Sequence, residues 1–252
     1  MMKPIDTTNK YKFSFAEYNE IIKTFSKRFT SFPNAIGKEK FVLLRHDVEF
    51  SVNRALELAQ IEHEANVKST FFFQVISNAY NPFSVINYNI IQNIKKMGHD
   101  VGLHFYASHL KNPSTKNILI ELDRQKLIFE KGLDVECTIF SFHRPPLWAL
   151  ELNDDIIGGL INAYGPSFFE FSPKPKNIKY FSDSNFIWKY GHPLDYISEN
   201  KIQILAHPDE WTLSGNKSVK DFFSSIERDH YQEFKETLDN EMKNYSEVMN
   251  KS

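Results

Sequence analysis

Four places in this sequence put ionisable side chains directly after short apolar runs. Phe41-Val-Leu-Leu runs into Arg45, His46, Asp47 and Glu49; Asp100-Val-Gly-Leu ends in His104; Thr138-Ile-Phe-Ser-Phe ends in His143 and Arg144; and Ile202-Gln-Ile-Leu-Ala ends in His207. Imidazole and carboxylate groups are the usual ligands of zinc and related divalent ions, and they are also the common proton carriers in hydrolysis. One histidine after a strand is an ordinary structural feature. Four such ends, converging on one face, describe an active site.

Convergence requires a scaffold in which strand C-termini share a face, as parallel βαβ units provide. The chain reads that way. Residues 13–29 have the spacing of an amphipathic helix, followed by strand 41–46 and helix 52–65, which Ser51 caps. Strand 68–75, helix 85–97 ended by Gly98, strand 100–104, helix 115–131 ended by Gly132, and strand 138–143 come next. Between Leu147 and Lys201 the pattern breaks into turns and short aromatic pieces. Strand 202–206 and a long charged helical stretch, 217–249, complete the chain. No repeat or linker divides it, so residues 1–252 read as a single domain.

Composition narrows the partners. A net charge of −2 with no basic block argues against nucleic acid, and a single cysteine, Cys137, rules out a disulfide framework or a multi-cysteine zinc site. No apolar run has the length of a membrane span, and the first ten residues lack the apolar core of a secretion signal; the expectation is a cytoplasmic protein not integral to a membrane.

The motifs Arg45-His-Asp-Val-Glu49, Gly98-His-Asp-Val-Gly-Leu-His104, Ser141-Phe-His-Arg-Pro145 and Ile204-Leu-Ala-His-Pro208, in that order, resemble those of the polysaccharide deacetylases, carbohydrate esterase family four. The resemblance runs from about residue 40 to 211. It implies an α/β fold, a distorted (β/α) barrel of parallel strands, with extra helices at the N- and C-terminal ends. It also implies one divalent metal, zinc in the first instance with cobalt, manganese or nickel as alternatives, and a carbohydrate substrate from which an acetyl group is removed. Asp47 then matches the base, Arg144 the arginine that orients it, and His207 the general acid. Glu49, His104 and His109 match the metal ligands. Asp183, Trp188 and Trp211 fall where such enzymes line their groove, with Asp183 also placed to tune His207 and the tryptophans equally suited to a core.

Two departures stand out. His104 and His109 are five residues apart rather than four, which on a helix turns the second side chain about 140° from the first; His143 or His46 is an alternative third ligand. Glu49 is also one methylene longer than the aspartate it replaces. The expected reaction is hydrolysis of an acetylated amino sugar or polysaccharide precursor in surface polysaccharide biosynthesis. The alternatives are a catalytically degenerate carbohydrate-binding or partner-binding barrel, and an amide or formyl hydrolase acting on another substrate.

Overall fold

The computed structural model describes residues 11–170 and 177–249. Its elements are α1 (Phe15–Phe25), α2 (Phe32–Ala35), β1 (Phe41–Val48), α3 (Val52–Glu64), β2 (Thr70–Phe73), α4 (Val85–Lys96), β3 (Asp100–Tyr106) and α5 (Thr115–Leu133). They continue with β4 (Ile139–His143), α6 (Leu147–Leu150), β5 (Ile156–Ile157), β6 (Leu160–Asn162), β7 (Ile178–Ser182), β8 (Lys201–Leu205), α7 (Val219–Glu241) and α8 (Tyr245–Met249). The strands form one sheet in the order β5-β6-β4-β3-β2-β1-β8-β7. Every pairing is parallel except β5 with β6. The two edge strands do not pair with each other, so the barrel is open and distorted.

Alternation along the strands separates the two faces of the sheet. On β1, Val42, Leu44 and Val48 pack outward with helical side chains, whereas Phe41 and Leu43 join Phe72, Ile139 and Phe168 in the barrel interior. Phe32 of α2 plugs that interior beside Phe72 and Phe168. Gly102 serves the same packing: a Cβ there would lie 2.7 Å from the Phe72 ring. Two larger cores fill the spaces beneath the helices, one around β2, β3 and β4 and one joining α1 to β8 and the 181–188 segment.

Serine side chains cap the principal helices, Ser14 on α1, Ser51 on α3, Ser84 on α4, Ser114 on α5 and Ser218 on α7, each accepting a backbone N–H of the first turn. The expected helix stop at Gly132 does not occur. Gly132 lies inside α5, where a Cβ would fall 2.2 Å from the Phe83 ring, and the helix ends instead at Asp134 in the left-handed conformation. Among the described residues, no helix is long and apolar enough to cross a membrane.

Candidate active site

The face of β1 that carries Phe41 and Leu43 continues, two residues at a time, to Arg45 and Asp47, with Glu49 just beyond the strand. His104 of β3, Ser141 and His143 of β4, and His207 after β8 meet them above the interior core. Asp47, Glu49 and His207 line a groove of about 760 Å³ whose walls include Phe142, Tyr164, Phe169, Tyr180, Tyr190 and Phe223.

Three ligand atoms face one another at one point. Glu49 Oε1 lies 3.0 Å from His143 Nδ1 and 3.7 Å from His104 Nε2, and the two histidine nitrogens are 3.2 Å apart. Ligands about 2.0–2.1 Å from a tetrahedral ion stand about 3.3 Å from each other, so the trio has the spacing of one face of a metal site. His104 Nδ1 lies 3.3 Å from the Ser141 carbonyl oxygen; donating its proton there leaves a lone pair on Nε2, the tautomer a ligand needs. Burial alone would raise the carboxyl pKa of Glu49, but the His104, His143 and His207 imidazoles around it outweigh burial and hold the group well below the ordinary carboxylate range. The donor set, its spacing and the fixed tautomer fit a divalent cation.

Asp47 sits beside this trio. Its Oδ2 accepts from Arg45 Nη2 at 3.4 Å and from Ser141 Oγ at 3.3 Å, while Oδ1 is buried without a partner among the described residues. On the groove's other side, His207 Nδ1 is 2.6 Å from Asp183 Oδ1. The same carboxylate accepts the His207 backbone N–H and, at 2.8 Å, the indole N–H of Trp211. Burial pulls the His207 pKa down, yet the Asp183 carboxylate overrides it and holds the imidazole up at about 10. Asp209 ties the two sides together by accepting the backbone N–H groups of Phe50 and Ser51 at 3.1 and 2.8 Å. Neighbouring Glu210 is buried, and burial and the nearby Asp183 carboxylate push its carboxyl well above the ordinary range.

Several expected positions are corrected. His109 does not join the cluster: its side chain is 47% exposed, lies 3.9 Å from Glu121 and stacks on Tyr106. His46 points to the opposite face of β1, where its ring lies 2.7 Å from Glu62 and 3.0 Å from the Ala206 carbonyl in a buried network with Tyr18. His143, the other alternative, is the histidine that lies beside His104 and Glu49. Arg144 is exposed at the groove and forms no ion pair with Asp47; Arg45 does. Trp188 and Trp211 are buried against Phe13 in the core beneath α1, not in the groove wall. Asp183 is fully buried and engaged with His207 and Trp211, so it faces the histidine rather than a sugar hydroxyl. Sequence reasoning gave no role to Arg45 or Ser141, though both lie in its motifs, and did not single out Tyr164 or Glu210. Strict alternation from Asp47 puts Arg45 on the site face, and alternation from His143 does the same for Ser141.

No family profile matches the sequence, and no curated protein matches it. Among solved structures, the chain is similar to a CE4 family pseudoenzyme, BA3943 from Bacillus anthracis, at 15% identity and a TM-score of 0.45, covering 77% of this chain and 62% of that one. A chitin deacetylase from the fungal pathogen Colletotrichum lindemuthianum is similar at 14% identity and a TM-score of 0.46, with 74% and 81% covered. Peptidoglycan deacetylase PdaC from Bacillus subtilis is similar at 15% identity and a TM-score of 0.41, with 77% and 85% covered. The chain thus spans less than two thirds of the length of the pseudoenzyme. The three similar structures are two deacetylases and a CE4 family pseudoenzyme.

Proposed function

We propose that this protein is a metal-dependent hydrolase that removes an acetyl group from an amino sugar of a polysaccharide or its precursor. The observation that carries the reading is the convergence, at one groove, of the Glu49–His104–His143 trio, the half-free carboxylate of Asp47 and the carboxylate-held His207. A divalent cation such as zinc, held by the trio, supplies Lewis acidity that polarises an acyl carbonyl and makes a water more acidic.

The remaining work falls to the side chains. Asp47 Oδ1, without a partner among the described residues, takes the proton of the attacking water. His207 is protonated at neutral pH, and with Nδ1 held by Asp183 its Nε2 carries the proton delivered to the departing sugar nitrogen. The aromatic side chains of the groove offer apolar faces on which a sugar ring can lie.

Metal analysis of the purified protein, with acetate release from N-acetylated amino sugars, tests the reading. About one divalent ion per chain is expected, and Asp47→Asn should retain it while losing at least about 100-fold in turnover. Full turnover in that variant would remove Asp47 as the base. A metal-free protein that binds a saccharide without cleaving it would favour the degenerate binding barrel.

A further inference from the structure

We propose that Arg45, not Arg144, is the residue that positions Asp47, and that Arg144 instead contacts the substrate in the groove. The inference rests on the reading of Asp47 as the base. Arg45 and Asp47 are two residues apart on β1 and therefore share the face turned to the site. The Arg45 side chain is completely buried, and its guanidinium carbon lies 4.3 Å from the centre of the Tyr164 ring, a groove-wall residue.

A guanidinium so far from water needs a counter-charge. Among the described residues the only ion pair it makes is with Asp47, Nη2 to Oδ2 at 3.4 Å. With Ser141 Oγ on the same oxygen, the carboxylate is gripped at Oδ2, and Oδ1 is left for the reaction. Arg45 Nε and Nη1 have no hydrogen-bond partner among the described residues, and the neutral Tyr164 ring beside the guanidinium supplies no counter-charge, so Asp47 is the one anion paired with it there.

Arg144 is the reverse case. It follows β4 with φ at 44°, is exposed, and makes no hydrogen bond or ion pair with another described residue. It lines the same groove as Lys189. A free guanidinium there suits an anionic or hydroxyl-rich part of the substrate.

The two arginines should separate in kinetics. Arg45→Lys, which keeps the charge but not the fork, is expected to lower kcat about 100-fold with KM within threefold, since small misplacements of a reacting group cost about that much. Arg45→Met should lose more, with partial recovery in the lysine variant. Arg144→Met should raise KM about tenfold with kcat within threefold. A kcat loss in Arg144→Met with normal kcat in Arg45→Lys would overturn the proposal.

A thermal double-mutant cycle of Arg45→Met with Asp47→Asn decides the pairing without any turnover. Strong coupling there, and additivity of Arg144→Met with Asp47→Asn, is expected. Additivity of the Arg45 pair would refute the positioning role even if the protein hydrolyses acetylated sugars. Coupling in a protein that hydrolyses none would leave the pair standing and remove the deacetylase reading instead.

Discussion

His143, not His109, stands with His104 and Glu49 because β3 and β4 are parallel neighbours with Tyr106 opposite His143, so both histidines leave the strand ends on the same face. His109 follows in the loop, beyond the strand's direction, and turns to Glu121. His104→Ala and His143→Ala should each lower metal occupancy by elemental analysis, while His109→Ala should keep it; retention in His143→Ala would exclude that nitrogen as a ligand. The identities of Asp47, Glu49, His104 and His207 as site-facing residues were legible in the sequence. The third histidine was legible only as a choice among His109, His143 and His46, because a spacing of five says only that a helix cannot serve, and the loop's path depends on contacts made elsewhere. His46 was open to exclusion in advance: if Asp47 faces the site, the preceding residue on a strand cannot.

At the level of elements, the alternating strands and helices of the first half could be read because their periodicity is strong and their caps are explicit. Ser114 at the start of α5 is such a cap, its Oγ accepting from Asn117 N at 3.3 Å. Ser114→Ala should cost about 1 kcal/mol in chemical denaturation, with no change in metal content; an unchanged midpoint would show that the bond contributes nothing. Between Leu147 and Lys201 the strands are two to five residues long, too short to show a period, and they are held by the sheet they join. Gly132 misled for a different reason. Glycine often ends a helix, but here it is demanded by the Phe83 ring pressed on the helix side, a contact distant in sequence.

Over the whole molecule, buried ionisable groups set how stability responds to pH. Asp209 and His207 are among the groups that bind protons more tightly folded than unfolded. Asp209, raised by burial from 3.8 to about 6, contributes a decline as pH climbs through that interval. His207, raised from 6.5 to about 10 with Asp183 outweighing the effect of burial, contributes stability that is complete below about 6.5 and gone above about 10. Glu49 and Glu62 act oppositely: despite burial, their histidine partners lower their pKa, so their contribution is lost on acidification. Thermal melts across pH 7 to 10 should therefore show a falling midpoint in the apo-protein, flattened in Asp183→Asn. An equal slope in that variant would mean the Asp183–His207 pair is not its source.

The strand order also imposes a timetable. β1, β2, β3 and β4 are laid down one beside the next, and they carry Glu49, His104 and His143; β8, which brings His207, joins the far side of β1 only after most of the chain has been made. Synthesis runs from the N-terminus and early segments can fold first. A nascent chain can therefore bring Glu49, His104 and His143 together before β8 has placed His207 beside them, so that on the proposed reading ion capture would precede competence.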